Sequence, residues 1–142
     1  MKRLALTLAF ASAIIAPVAA QAPIGGVLQM PITARFGFAF MNPKAPGILD
    51  SVFADGAKVM VVDFTKEGHP SSRLSSGAKQ SAELVQYTVG VTGSLDEMGC
   101  IDPVPERLVC TMTNKSKSVE IVAHLQNDRV DDAVVIIKRK AS

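Results

Sequence analysis

The sequence predicts a small, mainly β domain: an antiparallel meander or a small β-sandwich of about six strands, with one short helix. Three observations lead to this prediction. Apolar and polar residues alternate along several short stretches, which is the period of a β-strand. Polar turn residues separate these stretches, and two cysteines lie close together in the C-terminal half. Short strands, tight turns and a cross-link are typical of compact antiparallel folds.

The N-terminal half contains two predicted strands, one helix and one loop. Arg35 to Phe40 is a predicted strand, because three phenylalanines alternate with small residues that indicate close packing by another element. Ile48 to Asp55 is the predicted short helix, with its apolar residues on one face. Lys58 to Phe64 is a nearly continuous apolar run, which predicts a strand buried on both faces. The polar stretch from Thr65 to Ser81 is predicted to be a long surface loop.

The C-terminal half is predicted to be a run of consecutive antiparallel strands. Each stretch alternates apolar with polar residues, and polar turns at 114–117 and 127–128 join the last three of them. The predicted strands are Val85–Val91, Leu108–Met112, Val119–Leu125 and Ala133–Lys138.

The first twenty residues predict export. Lys2 and Arg3 form a basic start, an apolar run follows from Leu4 to Ile15, and small residues precede a cleavage point after Ala20. This is the pattern of a secretory signal peptide. We therefore expect residues 1–20 to be a signal peptide and residues 21–142 to form one domain, located in the periplasm or outside the cell. No later apolar run is long enough to span a bilayer, so we expect no transmembrane segment after signal removal.

The charge of the chain argues against a nucleic-acid partner. The full chain has 15 basic and 13 acidic residues. Because Lys2 and Arg3 leave with the predicted signal peptide, the mature chain carries 13 of each and is close to neutral. It therefore lacks the excess of positive charge on which non-specific nucleic-acid binding depends.

The two cysteines predict a disulfide and, with it, a candidate binding loop. Cys100 and Cys110 both lie in the exported part, where an even number of cysteines indicates a bridge. The bridge and two prolines would hold the intervening loop in few conformations, which lowers the entropy lost on binding. The predicted binding residues are Ile101, Asp102, Pro103, Val104 and Pro105.

The sequence assigns no catalytic residue, no metal ligands and no cofactor. The one arrangement to consider is His69, which lies near Asp63 and near Ser71 and Ser72 in the polar stretch. These residue types could form a nucleophile with its general base, but a loop holds such geometry poorly. His124 is predicted to face away from the apolar side of its strand, and a single histidine makes no metal site.

We therefore expect a small, non-catalytic binding or interaction protein of the cell envelope or extracellular space, with a protein partner in the same compartment. Two alternatives remain open. One is a hydrolase or metal-dependent enzyme with its site around His69. The other is a structural subunit of a surface assembly in which the segment from Pro23 to Met41 donates a strand to a neighbour.

Overall fold

A computed structural model describes residues 29–45 and 47–141 of the chain. The predicted signal peptide and residues 21–28 lie outside the described residues. The described part forms one six-stranded mixed sheet with three helices, an α+β arrangement. A mainly β domain with one helix was therefore only partly correct, and the sheet is not a sandwich.

The strands follow the chain in a simple order. Their bounds are Phe53–Asp63 (β1), Ser71–Leu74 (β2), Glu97–Val104 (β3), Arg107–Thr113 (β4), Lys117–Gln126 (β5) and Arg129–Arg139 (β6). Across the sheet the order is β2-β1-β6-β5-β4-β3. All neighbours pair antiparallel except β1 and β6, which are parallel. The predicted meander is confirmed for β4 to β6. Strand β3 was not predicted, since the residues after Cys100 were expected to form a loop, and the N-terminal hairpin of β1 and β2 joins the sheet at the free edge of β6.

Three helices cover one face of the sheet. Their bounds are Ile32–Met41 (α1), Ile48–Val52 (α2) and Ala78–Thr92 (α3). The core lies between these helices and the inward side chains of the strands. We call the helix-covered face the inner face and the opposite one the outer face. Within the described part of the chain, no helix is long and apolar enough to cross a membrane.

Helix α1 stands where a strand was predicted from Arg35 to Phe40, so that prediction was wrong. Phe36 and Phe40 are both buried, with ring centroids 5.1 Å apart. Phe38, between them, is only partly buried. Alternating residues include pairs four apart, so Phe36 and Phe40 also fit one face of a helix, and Phe38 falls on the other side.

The close packing expected beside the phenylalanines is confirmed at Gly37. A Cβ atom at this position would overlap the Sδ atom of Met98 on β3. The glycine therefore lets α1 approach the edge of the sheet, although it does so from a helix.

Helix α3 replaces the strand predicted over Val85–Val91, and this prediction was also wrong. The buried residues of α3 recur at helical spacing: Ser81, Val85, Thr88 and Thr92. The hydroxyl of Thr88 donates to the carbonyl of Leu84 at 2.8 Å, and that of Thr92 donates to the carbonyl of Thr88 at 2.9 Å. These bonds satisfy the buried hydroxyls, so β-branched residues fit the helix despite their preference for strands.

Three further predictions in the N-terminal half need correction. The predicted helix from Ile48 to Asp55 ends at Val52, and β1 begins at the next residue. The strand predicted from Lys58 to Phe64 exists, but its residues alternate between buried and less buried, so it is not buried on both faces. The stretch from Thr65 to Ser81 contains β2 and the first turn of α3 rather than a loop alone.

The turn between β5 and β6 is confirmed and is anchored to the helices. Asn127 and Asp128 both have positive φ, 52° and 59°, as expected for a two-residue hairpin turn. The carboxylate of Asp128 pairs with the buried guanidinium of Arg35 on α1. Arg35 also donates to the carbonyls of Asp128 (2.7 Å) and Ser51 (3.2 Å). The ion pair therefore joins α1 to the far end of the central hairpin.

Candidate functional site

The predicted disulfide is present, and the predicted binding loop is a β-hairpin. Cys100 and Cys110 lie directly opposite each other on β3 and β4 and are bonded. Beyond them the strands continue to the pair Val104 and Arg107, which encloses a two-residue turn. Glu106 in this turn has φ 64°, and its carbonyl accepts a hydrogen bond from the Leu125 N–H at 2.8 Å.

The predicted binding residues lie on this exposed hairpin. Ile101 and Val104 are 62% and 52% exposed, respectively. Asp102, Pro103 and Pro105 are exposed as well. The hairpin therefore presents apolar side chains to solvent beyond the cross-link.

The structure does not form a catalytic set around His69. His69 is exposed, and Asp63 is buried at the end of β1. One carboxylate oxygen of Asp63 accepts hydrogen bonds from the Thr65 N–H (2.8 Å) and hydroxyl (2.6 Å), and the other faces the Tyr87 hydroxyl at 3.5 Å. Burial acts to raise the pKa of Asp63, but the bonds from Thr65 and the charge of Lys66 outweigh it and hold the pKa below its ordinary value. Asp63 is thus an ionised structural group, bonded to residues other than His69.

His124 lies on the outer face, as predicted. Its Nδ1 atom is 2.7 Å from Asp131 Oδ1, and its Nε2 atom is 3.8 Å from Glu106 Oε2. Among residues 29–45 and 47–141, no three His, Cys, Asp or Glu side chains lie close enough to hold a metal ion.

The space between helices and sheet is filled by apolar side chains. Phe36 and Phe40 of α1, Val85 of α3, and Val61 and Val135 of the sheet meet there and leave no room for a water molecule. This part of the core therefore offers no cavity for a ligand.

One open cleft lies between β2 and α3. Its volume is about 400 Å³, and Arg73, Glu83 and Tyr87 line it together with Leu74. The guanidinium of Arg73 stacks over the ring of Tyr87 at 4.2 Å. Sequence reasoning missed this cleft because it placed Tyr87 on a strand and Arg73 in a loop.

An apolar row crosses the outer face of the sheet. Cross-strand partners on all six strands line up in one row: Leu74, Met60, Val134, Val122, Val109 and Ile101, in sheet order from β2 to β3. We call these six residues the apolar row. Four of them are substantially exposed: Leu74 (74%), Ile101 (62%), Val122 (47%) and Met60 (38%). Val62 and Ile136, in the next row, widen it over β1 and β6.

Charged residues flank the apolar row on both sides. The first border contains Lys58, Asp132, His124 and Arg107, which are consecutive partners on β1, β6, β5 and β4. The second border contains Glu120, Lys138 and Glu97, on β5, β6 and β3. Lys138 pairs with Glu120 at 2.9 Å. Apart from His124, the first border holds two cations and one anion, and the second holds two anions and one cation, so their net charges are opposite.

No protein-family model matches the chain, and no curated protein matches it in sequence. Solved structures share its fold. A proposed isomerase from Rhodopseudomonas palustris is 12% identical, with a TM-score of 0.54 over 78% of this chain and 91% of that one. IdmH from Streptomyces antibioticus, a proposed polyketide cyclase, is 12% identical, with a TM-score of 0.50 over 75% and 89%. An NTF2-like protein from Anabaena variabilis is 11% identical, with a TM-score of 0.50 over 84% and 90%. The chain therefore has an NTF2-like, polyketide cyclase-like α+β fold, and identities this low establish the fold alone.

Proposed function

We propose that this chain is an exported, non-catalytic interaction protein whose outer sheet face binds another protein. The observation that carries the proposal is the unbroken apolar row across all six strands. Single exposed apolar residues are ordinary on a protein surface, whereas adjoining apolar residues with a polar rim are typical of interaction sites. Strand spacing of about 4.8 Å makes the row roughly 24 Å long. A polar rim on both sides of an apolar centre is the usual layout of a protein interface.

The predicted binding hairpin extends the same surface. Ile101 is both the first of the predicted binding residues and the last residue of the apolar row. The disulfide between Cys100 and Cys110 lies next to it and ties the two strands together. A hairpin held in this way presents its apolar side chains with little entropy to lose on binding.

Export is supported by the N-terminal pattern and by the disulfide. Disulfides persist in the periplasm and outside the cell, whereas thiols stay reduced in the cytosol. A partner should therefore be sought in the envelope or the extracellular space.

Two observations weigh against the alternative functions. The interior is filled, and the Asp63 carboxylate is occupied by Thr65, so a hydrolase site around His69 has little support. The segment from Pro23 to Met41 includes α1, which is packed into the core of its own chain, and this argues against its donation as a strand.

Site-specific photo-crosslinking in the cells that make the protein tests the proposal. A photoreactive phenylalanine analogue replaces Val122 in the apolar row, and in a control chain it replaces Gln86, which is exposed on α3. We expect a discrete, heavier adduct at position 122 that is missing at position 86. Equal patterns at both positions, or no adduct at 122, would refute the proposed surface. Mass spectrometry of the recovered chain also tests export, which requires that residues 1–20 have been removed.

A further inference from the structure

We infer that the cleft between β2 and α3 binds the carboxyl end of an extended peptide that carries a basic side chain close to that end. The inference goes beyond the proposed function, because the cleft lies on the helix side of the sheet and not on the outer face. Its support comes from a free strand edge, an arginine held in place by stacking, and a carboxylate beside it.

Strand β2 offers a free edge to an extended chain. It is the last strand on its side of the sheet, and within the described part of the chain no strand pairs beyond it. The Ser75 N–H donates to the carbonyl of Val59 on β1 at 2.8 Å. Because the backbone groups of successive strand residues point to opposite sides, those of Ser72 and Leu74 point away from β1. Leu74 also lines the cleft, so a peptide that lies in the cleft can pair with its N–H and carbonyl groups.

Arg73 is placed to receive the terminal carboxylate. It is the cross-strand partner of Val61, which is buried on the inner face, so its side chain lies on the side of the sheet that α3 covers. Its guanidinium stacks over the ring of Tyr87, whose hydroxyl approaches the Asp63 carboxylate at 3.5 Å. Stacking covers one face of the guanidinium and leaves the N–H donors at its edge, which match the two oxygens of a carboxylate. An arginine held in this way loses little side-chain entropy when the carboxylate binds.

One stripe of α3 supplies the other polar groups of the cleft. Gln80, Glu83 and Tyr87 line the cleft and recur at spacings of three and four residues, which places them on one side of the helix. Among residues 29–45 and 47–141, neither Arg73 nor Glu83 forms an ion pair. The cleft therefore presents one cation and one anion, and these charges are complementary to a peptide end with a carboxylate and a basic side chain.

A small ion would use the cleft only in part. An anion on the Arg73 guanidinium would lie near the Glu83 carboxylate, which repels it, and it would leave the edge of β2 unpaired. An extended peptide uses both charges and the strand edge together. The cleft volume of about 400 Å³ lies at the lower end of the range of about 300–1,000 Å³ for ligand sites. This size suits the last few residues of a peptide rather than a folded domain.

An NMR titration of the isotope-labelled full chain, in the processed form that the cell yields, tests the inference. The probe is a synthetic mixture of tetrapeptides with an acetylated amino end, a free carboxylate, lysine next to the last residue and varied residues elsewhere. We expect saturable shifts of the backbone N–H signals of Ser72 and Leu74, with a dissociation constant of about 1 mM or below. The same mixture with an amide in place of the carboxylate should bind about 10-fold more weakly, because it loses the charge-assisted bonds to Arg73. Sodium acetate, which has a carboxylate and no peptide backbone, should also bind at least about 10-fold more weakly.

Two variants test the assigned charges. Arg73→Gln should weaken binding of the carboxylate mixture by about 10-fold, whereas Arg107→Gln makes the same change on the outer face and should leave binding unaltered. Arg73→Lys keeps the charge without the two-pronged geometry, and it should lie between wild type and Arg73→Gln. Glu83→Gln should weaken binding of the lysine mixture by about 3-fold or more and leave a mixture with methionine in place of lysine unaffected. The N–H spectrum of each variant shows whether it is folded, and the comparison of carboxylate with amide needs no variant.

The outcomes separate this inference from the proposed function. Absence of saturable shifts at Ser72 and Leu74 up to about 10 mM peptide overturns the inference, and so does equal binding of the amide mixture or an equal loss with Arg107→Gln. Shifts confined to the apolar row overturn it as well and support the proposed function instead. Binding in the cleft without a crosslinked adduct at position 122 leaves the inference standing and refutes the proposed surface.

Discussion

The ion pair between Arg35 and Asp128 provides a direct test of how the helices are attached to the sheet. Asp128→Gly removes the carboxylate and keeps the positive φ of 59° that the turn requires. The Arg35 guanidinium, whose side chain is 7% exposed, then keeps only the carbonyls of residues 51 and 128 as acceptors. Because the Asp128 side chain is 67% exposed, solvent screens part of the interaction. We therefore expect the free energy of unfolding to fall by about 1–2 kcal/mol, below the cost of removing one partner of a fully buried pair.

The neighbouring turn residue supplies the control. Asn127→Gly changes the other residue of positive φ and leaves the ion pair in place, so it measures the effect of glycine in the turn. Urea unfolding of the two variants should differ by the 1–2 kcal/mol attributed to the carboxylate, and thermal unfolding by about 3–8 °C. The stability difference between the two glycine variants should shrink in an Arg35→Met background, because the ion pair between residues 35 and 128 is absent there. If Asp128→Gly and Asn127→Gly are equally stable within about 0.3 kcal/mol, the ion pair does not hold α1 to the hairpin.

Three further predictions concern the cross-link, the buried carboxylate and the helix contact. Replacing Cys100 and Cys110 together by alanine should lower the unfolding free energy by about 2–3 kcal/mol in urea, because the bridge restricts the unfolded chain; an unchanged midpoint would contradict this. The pKa of Asp63 lies below its ordinary 3.8 in the folded state, so the folded chain binds fewer protons than the unfolded chain near that pH, and stability should fall on acidification below about pH 5. Asp63→Asn should reduce this loss in acid titrations followed by circular dichroism, and an unaltered acid transition would count against it. Gly37→Ala should lower the free energy of unfolding in the wild type, because the alanine Cβ overlaps Met98, and this loss should disappear in a Met98→Ala background; equal effects in both backgrounds would show that the contact is unimportant.

The last three strands, β4 to β6, could be predicted because each has one buried and one exposed face. Strand β3 could not, because nearly all of its residues are exposed. Along β5, Val119, Ile121 and Ala123 are buried and the residues between them are exposed, which is the alternation that the sequence shows. Tight turns between these strands then fix their order. The disulfide followed from the number of cysteines and the expected compartment.

The two longer helices could not be predicted from local pattern alone. In α1, Phe36 and Phe40 satisfy both a period of two and a helical turn. In α3, Val85, Thr88 and Thr92 are β-branched residues that local propensity assigns to a strand. Their burial against the sheet and the hydroxyl bonds within the helix override that propensity. The choice between helix and strand depends on the surface of the sheet against which each segment packs, and the local sequence does not show that surface.

The candidate surface could not be predicted for a different reason, because it depends on the register in which the strands pair. Leu74, Met60, Val122 and Ile101 are single apolar residues in four separate strands, and each alone is an ordinary exposed side chain. They become one row only when the pairing of every strand with its neighbour is known, because a shift by one residue would move each side chain to the other face.

The sheet itself does not require apolar residues at these outward positions. The next outward positions along three of the strands carry polar residues instead: Ser72 on β2, Glu120 on β5 and Thr111 on β4. Polar side chains are therefore compatible with the same strands. The side chains of Leu74 (74% exposed) and Val122 (47% exposed) keep much of their apolar surface in water, and that part adds nothing to the stability of a single chain. Their free-energy gain comes when another surface covers them. The helices of the chain itself cover the inner face, and the outer face carries exposed apolar residues. The function should therefore be sought in a molecule that packs against the outer face of the sheet.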